Sequence, residues 1–319
     1  MTAWGWSETA EPMKQTAAFL VRWAVLFLLA SILAFAIVRM VPVTPEEQWL
    51  TAFKLPHTQE NIAYVRAKMG LDQPLAVQYA LWIGRFIRGD WGYSLVSQVD
   101  IKAQFLKKLP YSLSIGLLGT ALGGGAALAL GYGAALRKKG LCDRLSSFLA
   151  VFSQGVPSFF LSVLIIQFLS VQLRLVRFFT RDGTYALLMA TLLTGLYCAG
   201  ALSRVVRNAC REEMEKTYVT FAVSMGFPKG WVLRVYARKP VLYKLTAAVI
   251  SGFAWVFGGS AVLEFAFGIP GISCFLIDSM KARDYNVLQN YILIVVIWMF
   301  LVHLALHFVL LALDVRRKA

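Results

Sequence analysis

The stretch YSLSIGLLGTALGGGAALALGYGAAL, residues 111–136, runs from end to end without a charged residue. A helix rises 1.5 Å per residue, so about 20 apolar residues cross a hydrocarbon core of about 30 Å. The stretch is long enough for this, and its many glycines and alanines would let a neighbouring helix approach closely. It therefore predicts a membrane-spanning helix.

The composition of the whole chain agrees with this prediction. Hydrophobic residues make up 58% of the 319 residues and charged residues only 15%, whereas soluble domains carry about 25% charged residues. The net charge is +15, which in a soluble protein would indicate a nucleic-acid partner. Here the basic residues lie at the ends of apolar runs, as in cytoplasmic membrane flanks. We therefore expect the lipid bilayer, and no nucleic acid, as the partner of this charge.

Six apolar runs are long enough to span a membrane. The first is too long for a cleavable signal and no small-residue cleavage site follows it, so we expect it to stay as an anchor. The predicted fold is an all-α integral membrane protein with about six transmembrane helices, at about 18–41, 111–136, 145–171, 185–206, 243–267 and 287–313.

Basic residues predict the orientation of these spans. The segments 137–140, 217–240 and 314–319 carry positive charge and lie on one side if both termini are cytoplasmic, although three arginines after the third span oppose the bias. The loop after the first span holds two amphipathic stretches, 61–70 and 75–89, with Gly70 suited to a helix C-cap and Pro74 to the next helix start. We predict an N-terminal segment and first span at 1–41, an extracytoplasmic helical subdomain at 42–110 and a membrane core at 111–319.

Sequence motifs for enzyme chemistry are absent. The chain has no phosphate-binding Gly-Lys-Ser/Thr loop, no His-Glu-x-x-His and no Gly-x-Ser-x-Gly. His303 and His307 would share a helical face but have no third ligand near them in sequence, and the four cysteines show no ligand spacing. We predict no catalytic, cofactor-binding or metal-binding residue.

Two features inside the spans have two interpretations each. Gly123, Gly124 and Gly125 would either line a substrate path or pack a helix closely, and packing is the commoner use of small residues in membranes. Pro157 would kink the third span, either as a gate or as a tolerated proline, with Ser153, Gln154 or Ser158 satisfying the freed carbonyl.

Glu264 stands at the end of the fifth predicted span, in VLEFAFGIPGIS. An isolated carboxylate in hydrocarbon is costly, so this residue must lie near the membrane surface or have a partner. Because Gly268, Pro270 and Gly271 follow at once, the sequence favours the membrane surface.

Several separate segments, taken together, resemble one family. They are MGLDQPLAVQYALWIGRFIRGDWGYSL (69–95), LPYSLSIGL (109–117), SQGVPSFFLSVLI (153–165), LEFAFGIPGISCFLIDSMKARDYNVLQNYIL (263–293) and HLALHFVLLALDVRRK (303–318). In this order they resemble the first-type permease subunit of binding-protein-dependent ABC importers of the dipeptide/oligopeptide/nickel family.

The resemblance gives a role to the polar segment between the fourth and fifth spans, about 207–242. It is similar to the cytoplasmic coupling helix that docks into a groove of the ATPase subunit. The positions concerned are Thr217, Tyr218, Val219, Ala222, Gly226 and Phe227. Peptide-type members usually have Asp where Thr217 stands, and charged residues where Val223 and Met225 stand.

The resemblance also implies the assembly and its cargo. It implies half of a heterodimeric pore in the cytoplasmic membrane of a prokaryote, with a second homologous permease, two ABC ATPase subunits and an extracytoplasmic solute-binding protein. ATP and Mg²⁺ would bind the ATPases, so this subunit would need no cofactor. For cargo it favours nickel or a metal–metallophore complex, with di- or oligopeptides as the alternative. The rival from another class is a membrane-embedded enzyme or a stand-alone channel.

Overall fold

The computed structural model describes residues 7–40, 44–180, 183–253 and 260–313. Over these ranges the chain is all-α, as predicted, with one isolated bridge between Tyr93 and Asp100 and no strand. The helices are α1 Ser7–Arg39, α2 Pro45–Ala52, α3 Gln59–Lys68, α4 Leu75–Ile87, α5 Ile101–Leu136, α6 Leu141–Gly155, α7 Ser158–Ile165, α8 Thr184–Met214, α9 Thr217–Ser224, α10 Lys229–Tyr236, α11 Arg238–Phe253, α12 Ala261–Phe267, α13 Ile272–Lys281 and α14 Tyr285–Leu313.

Four of these helices, α1, α5, α8 and α14, are long and apolar enough to cross a membrane within the described residues. They confirm the first, second, fourth and sixth predicted spans. Helix α5 begins at Ile101, ten positions before the predicted start, and continues through Pro110. The lysines at 107 and 108 lie inside its first turns, which is why hydropathy alone placed the start later.

The third predicted span is a sharply bent pair rather than a kinked helix. Helix α6 ends at Gly155, Val156 is extended, and α7 starts after Pro157 at an angle of 97°. The Val156 carbonyl, at the break, accepts a hydrogen bond from the Tyr197 hydroxyl at 2.6 Å. Ser153 Oγ donates to the Ala150 carbonyl at 3.3 Å, and that Ser153, Gln154 or Ser158 satisfies the carbonyl freed by Pro157 stays a prediction. Helix α7 continues into a π-helical segment, Ile166–Gln172.

The fifth predicted span is also not one helix among the described residues. It corresponds to α11 and α12, and residues 254–259 between them lie outside the described ranges. Helices α12 and α13 form a second bent pair, at 83°. Counting each bent pair as one span gives up to six spans, the predicted number, but the pair of α12 and α13 takes the place of the predicted span at 243–267.

The chain divides into two compact units. The first comprises residues 1–106 and 276–300, and holds α1 to α4 and the first turns of α14. Thr44 and Glu47 form a reciprocal capping box at the start of α2. Gly70, at φ +67°, ends α3 with a Leu71 N–H to Arg66 carbonyl bond, which confirms the predicted cap. The buried Asp284 carboxylate accepts from Ser94 Oγ and the Leu95 N–H, and so fixes the loop after α4.

The second unit, residues 107–275 and 301–319, is centred on α8. Helices α6 and α11 pack against it. A β-carbon at Gly123 of α5 would lie 2.5 Å from Cys198 Cβ, and one at Gly119 2.6 Å from Thr194 Cβ. Helix α5 therefore approaches α8 at a distance that only glycine permits.

Candidate functional site

The polar segment between α8 and α11 folds as a helical hairpin of α9 and α10. Helix α9 ends in a Schellman motif, in which the Phe227 N–H donates to the Ala222 carbonyl and the Gly226 N–H to the Val223 carbonyl. Gly226 adopts φ +92°, a conformation that strains any residue with a side chain. Pro228 is the N-cap of α10, a position at which its missing N–H costs no helical hydrogen bond. The sequence Gly-Phe-Pro thus sets the turn.

The inner side of the hairpin is a small apolar core. Val219 and Ala222 of α9 pack against Val232 of α10, and all three are buried. Leu233 and Ala237 belong to the larger buried cluster around Val206 and Cys210 of α8. The hairpin is therefore fixed to the membrane core by burial of apolar side chains.

The outer side of the hairpin exposes a continuous set of aromatic rings. Phe227 stacks on Trp231 with ring centroids 4.8 Å apart, Trp231 meets Tyr236 edge to face at 6.2 Å, and Tyr236 meets Tyr218 at 6.0 Å. We call these four residues the aromatic row. Phe221, 64% exposed, and Met225 add apolar surface on α9. Exposed apolar surface on this scale marks an interaction site, and aromatic residues are the usual anchors of protein interfaces.

Tyr218 is also tied to the end of α8. Its hydroxyl donates to the buried Glu213 carboxylate, which also receives the Lys216 ammonium group. Partial burial, followed by the Glu213 carboxylate, raises the pKa of Tyr218 to about 12. The phenol therefore keeps its proton at neutral pH and holds α9 at a fixed angle to α8.

The structure separates the six predicted coupling residues into two groups. Thr217, Tyr218, Gly226 and Phe227 are exposed, whereas Val219 and Ala222 face α10. Ala222 is 5% exposed, so its small size serves the packing of α9 on α10. Phe221, Trp231 and Tyr236 were not among the coupling residues predicted from the sequence. The signal was present as aromatic residues spaced four or five apart from Phe227 to Tyr236, on a segment too short to span a membrane.

The other predicted residues lie in the membrane core and not in the hairpin. Gly123 is buried against α8, the nearest atom to a β-carbon at Gly124 would be Val249 Cγ2 at 3.9 Å, and Gly125 faces open space. Pro157 lies at the break between α6 and α7. Within the described ranges, no three His, Cys, Asp or Glu side chains converge in a metal-binding arrangement.

Comparison with known proteins covers almost the entire chain. Residues 127–319 match the family described as binding-protein-dependent transport system inner membrane component, and residues 17–116 match its N-terminal family. The glutathione transport system permease protein GsiC of Salmonella paratyphi A is 28% identical over 291 residues, covering 90% of this chain and 93% of that protein. The protein of the same name from Escherichia coli K12 is 29% identical over 290 residues, covering 90% and 92%. The chain therefore belongs to the binding-protein-dependent inner membrane components, as a multi-pass permease subunit of a bacterial ABC importer of the peptide/glutathione/nickel family.

Proposed function

We propose that this chain forms one half of a heterodimeric translocation pathway that imports short peptides, including glutathione-like ones, with energy from partner ATPases. The observation that carries the proposal is similarity along nearly the full length to permeases named for glutathione transport. Nickel, the cargo that the sequence analysis favoured, has no support among these relatives. The names of these relatives support the peptide alternative.

The hairpin of α9 and α10 is the surface that we assign to the ATPase. Its aromatic row offers apolar anchors, and the neighbouring exposed residues Lys229, Arg234 and Arg238 supply positive charge. A helix-in-groove contact needs this combination of an apolar face and a polar surround. Because the inner side of the hairpin packs on α8, a displacement of the hairpin would pass directly to the membrane core.

In the proposed assembly each kind of subunit has its own role. ATP and Mg²⁺ bind the two ATPase subunits, whose closure moves the hairpin; the solute-binding protein delivers the peptide on the opposite side. The two homologous permeases then alternate between outward-open and inward-open states. In this arrangement the hairpin and both termini face the cytoplasm.

Reconstitution tests the proposal. The chain, its second permease and its ATPases are placed in liposomes with ATP inside, and the binding protein is added outside with labelled glutathione, dialanine or Ni²⁺. We expect ATP-dependent uptake of a peptide and none of Ni²⁺. Uptake of Ni²⁺ without peptide would restore the metal interpretation. Ion conductance by the chain alone, without ATPases, would indicate a stand-alone channel.

A further inference from the structure

The first unit contains a cavity of about 560 Å³ that the coupling role does not use. The end of α1, helices α2 to α4 and the first turns of α14 surround it. Cavities of 300–1,000 Å³ are the usual size of small-molecule sites. The end of α1 and the beginning of α14, both helices long and apolar enough to span a membrane, border the cavity.

Positive charge dominates the lining. Arg39, Lys68 and Arg85 face the cavity, against one carboxylate, Asp90. Across the described part of the chain, none of the three cations lies within salt-bridge distance of an acidic group. An anionic group entering the cavity would therefore meet cations that have no competing carboxylate at contact distance.

Arg39 is held in position before any ligand arrives. Its guanidinium group lies 3.3 Å from the centroid of the Phe35 ring, and Nη2 donates to Gln78 Oε1 at 2.7 Å. Gln78 is fixed in turn, because its amide nitrogen donates to the carbonyls of Leu71 and Gln73. A group fixed in this way loses little conformational entropy on binding.

The lining also offers a hydrogen-bond acceptor without a donor, on Asn290. The Asn290 amide nitrogen donates to the carbonyls of Trp91 and Asn286, at 2.9 and 2.8 Å. These two bonds fix the amide orientation and leave Oδ1, which is buried and has no hydrogen-bond partner in the described structure. The residue is 3% exposed. A buried acceptor without a donor costs stability, which a bound donor would recover.

Aromatic side chains form the remaining wall. Trp91 stacks on Phe86 at 5.6 Å and meets Phe105 edge to face at the same distance, and Trp82 lies 6.0 Å from Phe35. Such a wall is rigid and apolar, and it accepts side chains of varied shape.

We propose that this cavity is a binding site for a small zwitterion, namely a short peptide whose carboxylate meets Arg39, Lys68 and Arg85 and whose ammonium group donates to Asn290 Oδ1. This inference rests on the proposed peptide import and deepens it by giving the permease its own peptide-binding site. A zwitterionic lipid headgroup has the same chemistry and is the competing source. The exposure of Lys68 and Arg85 favours a solute arriving from water.

The test uses the full chain in phosphatidylcholine nanodiscs, with no binding protein and no ATPase. Binding of radiolabelled dialanine is measured by scintillation proximity, with competition by unlabelled dialanine or by its N-acetylated, C-amidated form. The variants are Arg85→Gln and Lys68→Gln, both at exposed positions that folding tolerates. Arg88→Gln is the matched control, because Arg88 follows Arg85 by three residues at the end of α4 and does not line the cavity.

We expect dialanine to bind and the blocked form to compete poorly. Arg85→Gln and Lys68→Gln should each weaken binding about tenfold, and Arg88→Gln should leave it unchanged. Equal binding by all variants overturns the site. Loss of dialanine binding on replacing phosphatidylcholine with phosphatidylethanolamine would assign the cavity to lipid and also overturns it.

The cavity site and the proposed import function can each fail without the other. Peptide uptake by the complete assembly, together with dialanine binding that is insensitive to the cavity variants, would overturn the site and leave the import function standing. Binding that depends on Arg85, together with uptake of Ni²⁺ but no peptide by the assembly, would overturn the import function and leave a zwitterion site.

Discussion

The Ser112 hydroxyl donates to Glu264 Oε1 at 2.6 Å, and neither residue is accessible to solvent. Ser112 also accepts the Ile272 N–H at 2.9 Å, so one hydroxyl connects α5, α12 and the start of α13. Glu264 accepts further bonds from Ser260 Oγ and the Cys274 N–H. The carboxylate is thus paired inside the protein, which is the alternative that the sequence did not favour. Hydrogen bonds of this kind are what permit a charge to be buried.

Glu264→Ala should destabilise the second unit strongly. The substitution removes the acceptor that Ser112 Oγ, Ser260 Oγ and the Cys274 N–H share, and a buried donor that loses its acceptor costs about 1–3 kcal/mol. Glu264→Gln keeps the shape and one acceptor oxygen, so its loss should be smaller. Thermal denaturation in detergent, followed by size-exclusion fluorescence, measures the order. Glu212→Gln, at an exposed glutamate, is the control and should remain close to wild type. Equal stability of Glu264→Ala and the control would show that the network does not fix the bend.

Gly123→Ala and Gly125→Ala should have opposite effects, although only one residue separates them. A β-carbon at Gly123 would lie 2.5 Å from Cys198 Cβ and 2.7 Å from the Gly195 carbonyl oxygen, so α5 and α8 would have to separate. Overpacking of this kind costs about 1–3 kcal/mol. Gly125 has no atom within 4 Å, and alanine favours the helix by about 1 kcal/mol. Thermal stability of the two variants checks this. A Gly123→Ala protein as stable as Gly125→Ala would contradict the close packing.

Local patterns in the sequence were sufficient to predict the long helices and the glycine-centred turns. Hydropathy located α1, α5, α8 and α14, because an uninterrupted apolar run of this length rarely forms anything other than a membrane-spanning helix. Gly70 and Gly226 were recognised as turn residues, and both have positive φ in the structure. These features depend on the residue and its near neighbours alone.

Features set by distant contacts could not be predicted in this way. The partner of the Val156 carbonyl, Tyr197, is 41 positions away, and Ser112 is 152 positions from Glu264. Ala222 fits the family pattern, but the pattern does not say which face of α9 it occupies. Only the packing of α10 on α9 shows that it is buried.

Gly226→Ala and Gly226→Arg should separate backbone strain from a clash at the ATPase. Both adopt the same unfavourable positive φ, at a cost of about 1 kcal/mol, and a β-carbon meets nothing within 4 Å. Both chains should therefore fold and insert. Only Gly226→Arg, with its long charged side chain, should lose ATPase co-purification and uptake at equal protein levels. If the arginine variant keeps both, the hairpin is not the coupling element.

Ala222→Glu should damage the hairpin itself. The new carboxylate would be buried in the apolar cluster of Val219 and Val232 between α9 and α10, at a cost of several kcal/mol. We expect faster proteolytic cleavage within 217–236 than in the wild type, measured before any ATPase is added. Thr220→Glu, on an exposed position of the same helix, is the matched control and should resist cleavage. Cleavage at the wild-type rate in Ala222→Glu would mean that the inner packing does not hold the hairpin.

Trp231→Ala should weaken ATPase binding more than any other truncation in the aromatic row. Trp231 and Tyr236 are the two inner members of the row, Trp231 has the larger ring system, and 44% of it is accessible to a partner. Truncation of a central aromatic anchor costs about 2 kcal/mol or more, which is about a thirtyfold loss of affinity. Titration of the purified ATPase onto the chain in nanodiscs measures it. Tyr64→Ala removes an aromatic residue that is 65% exposed on α3 and should bind as the wild type does. If Trp231→Ala also binds as tightly as the wild type, the ATPase docks elsewhere and the aromatic row has another partner.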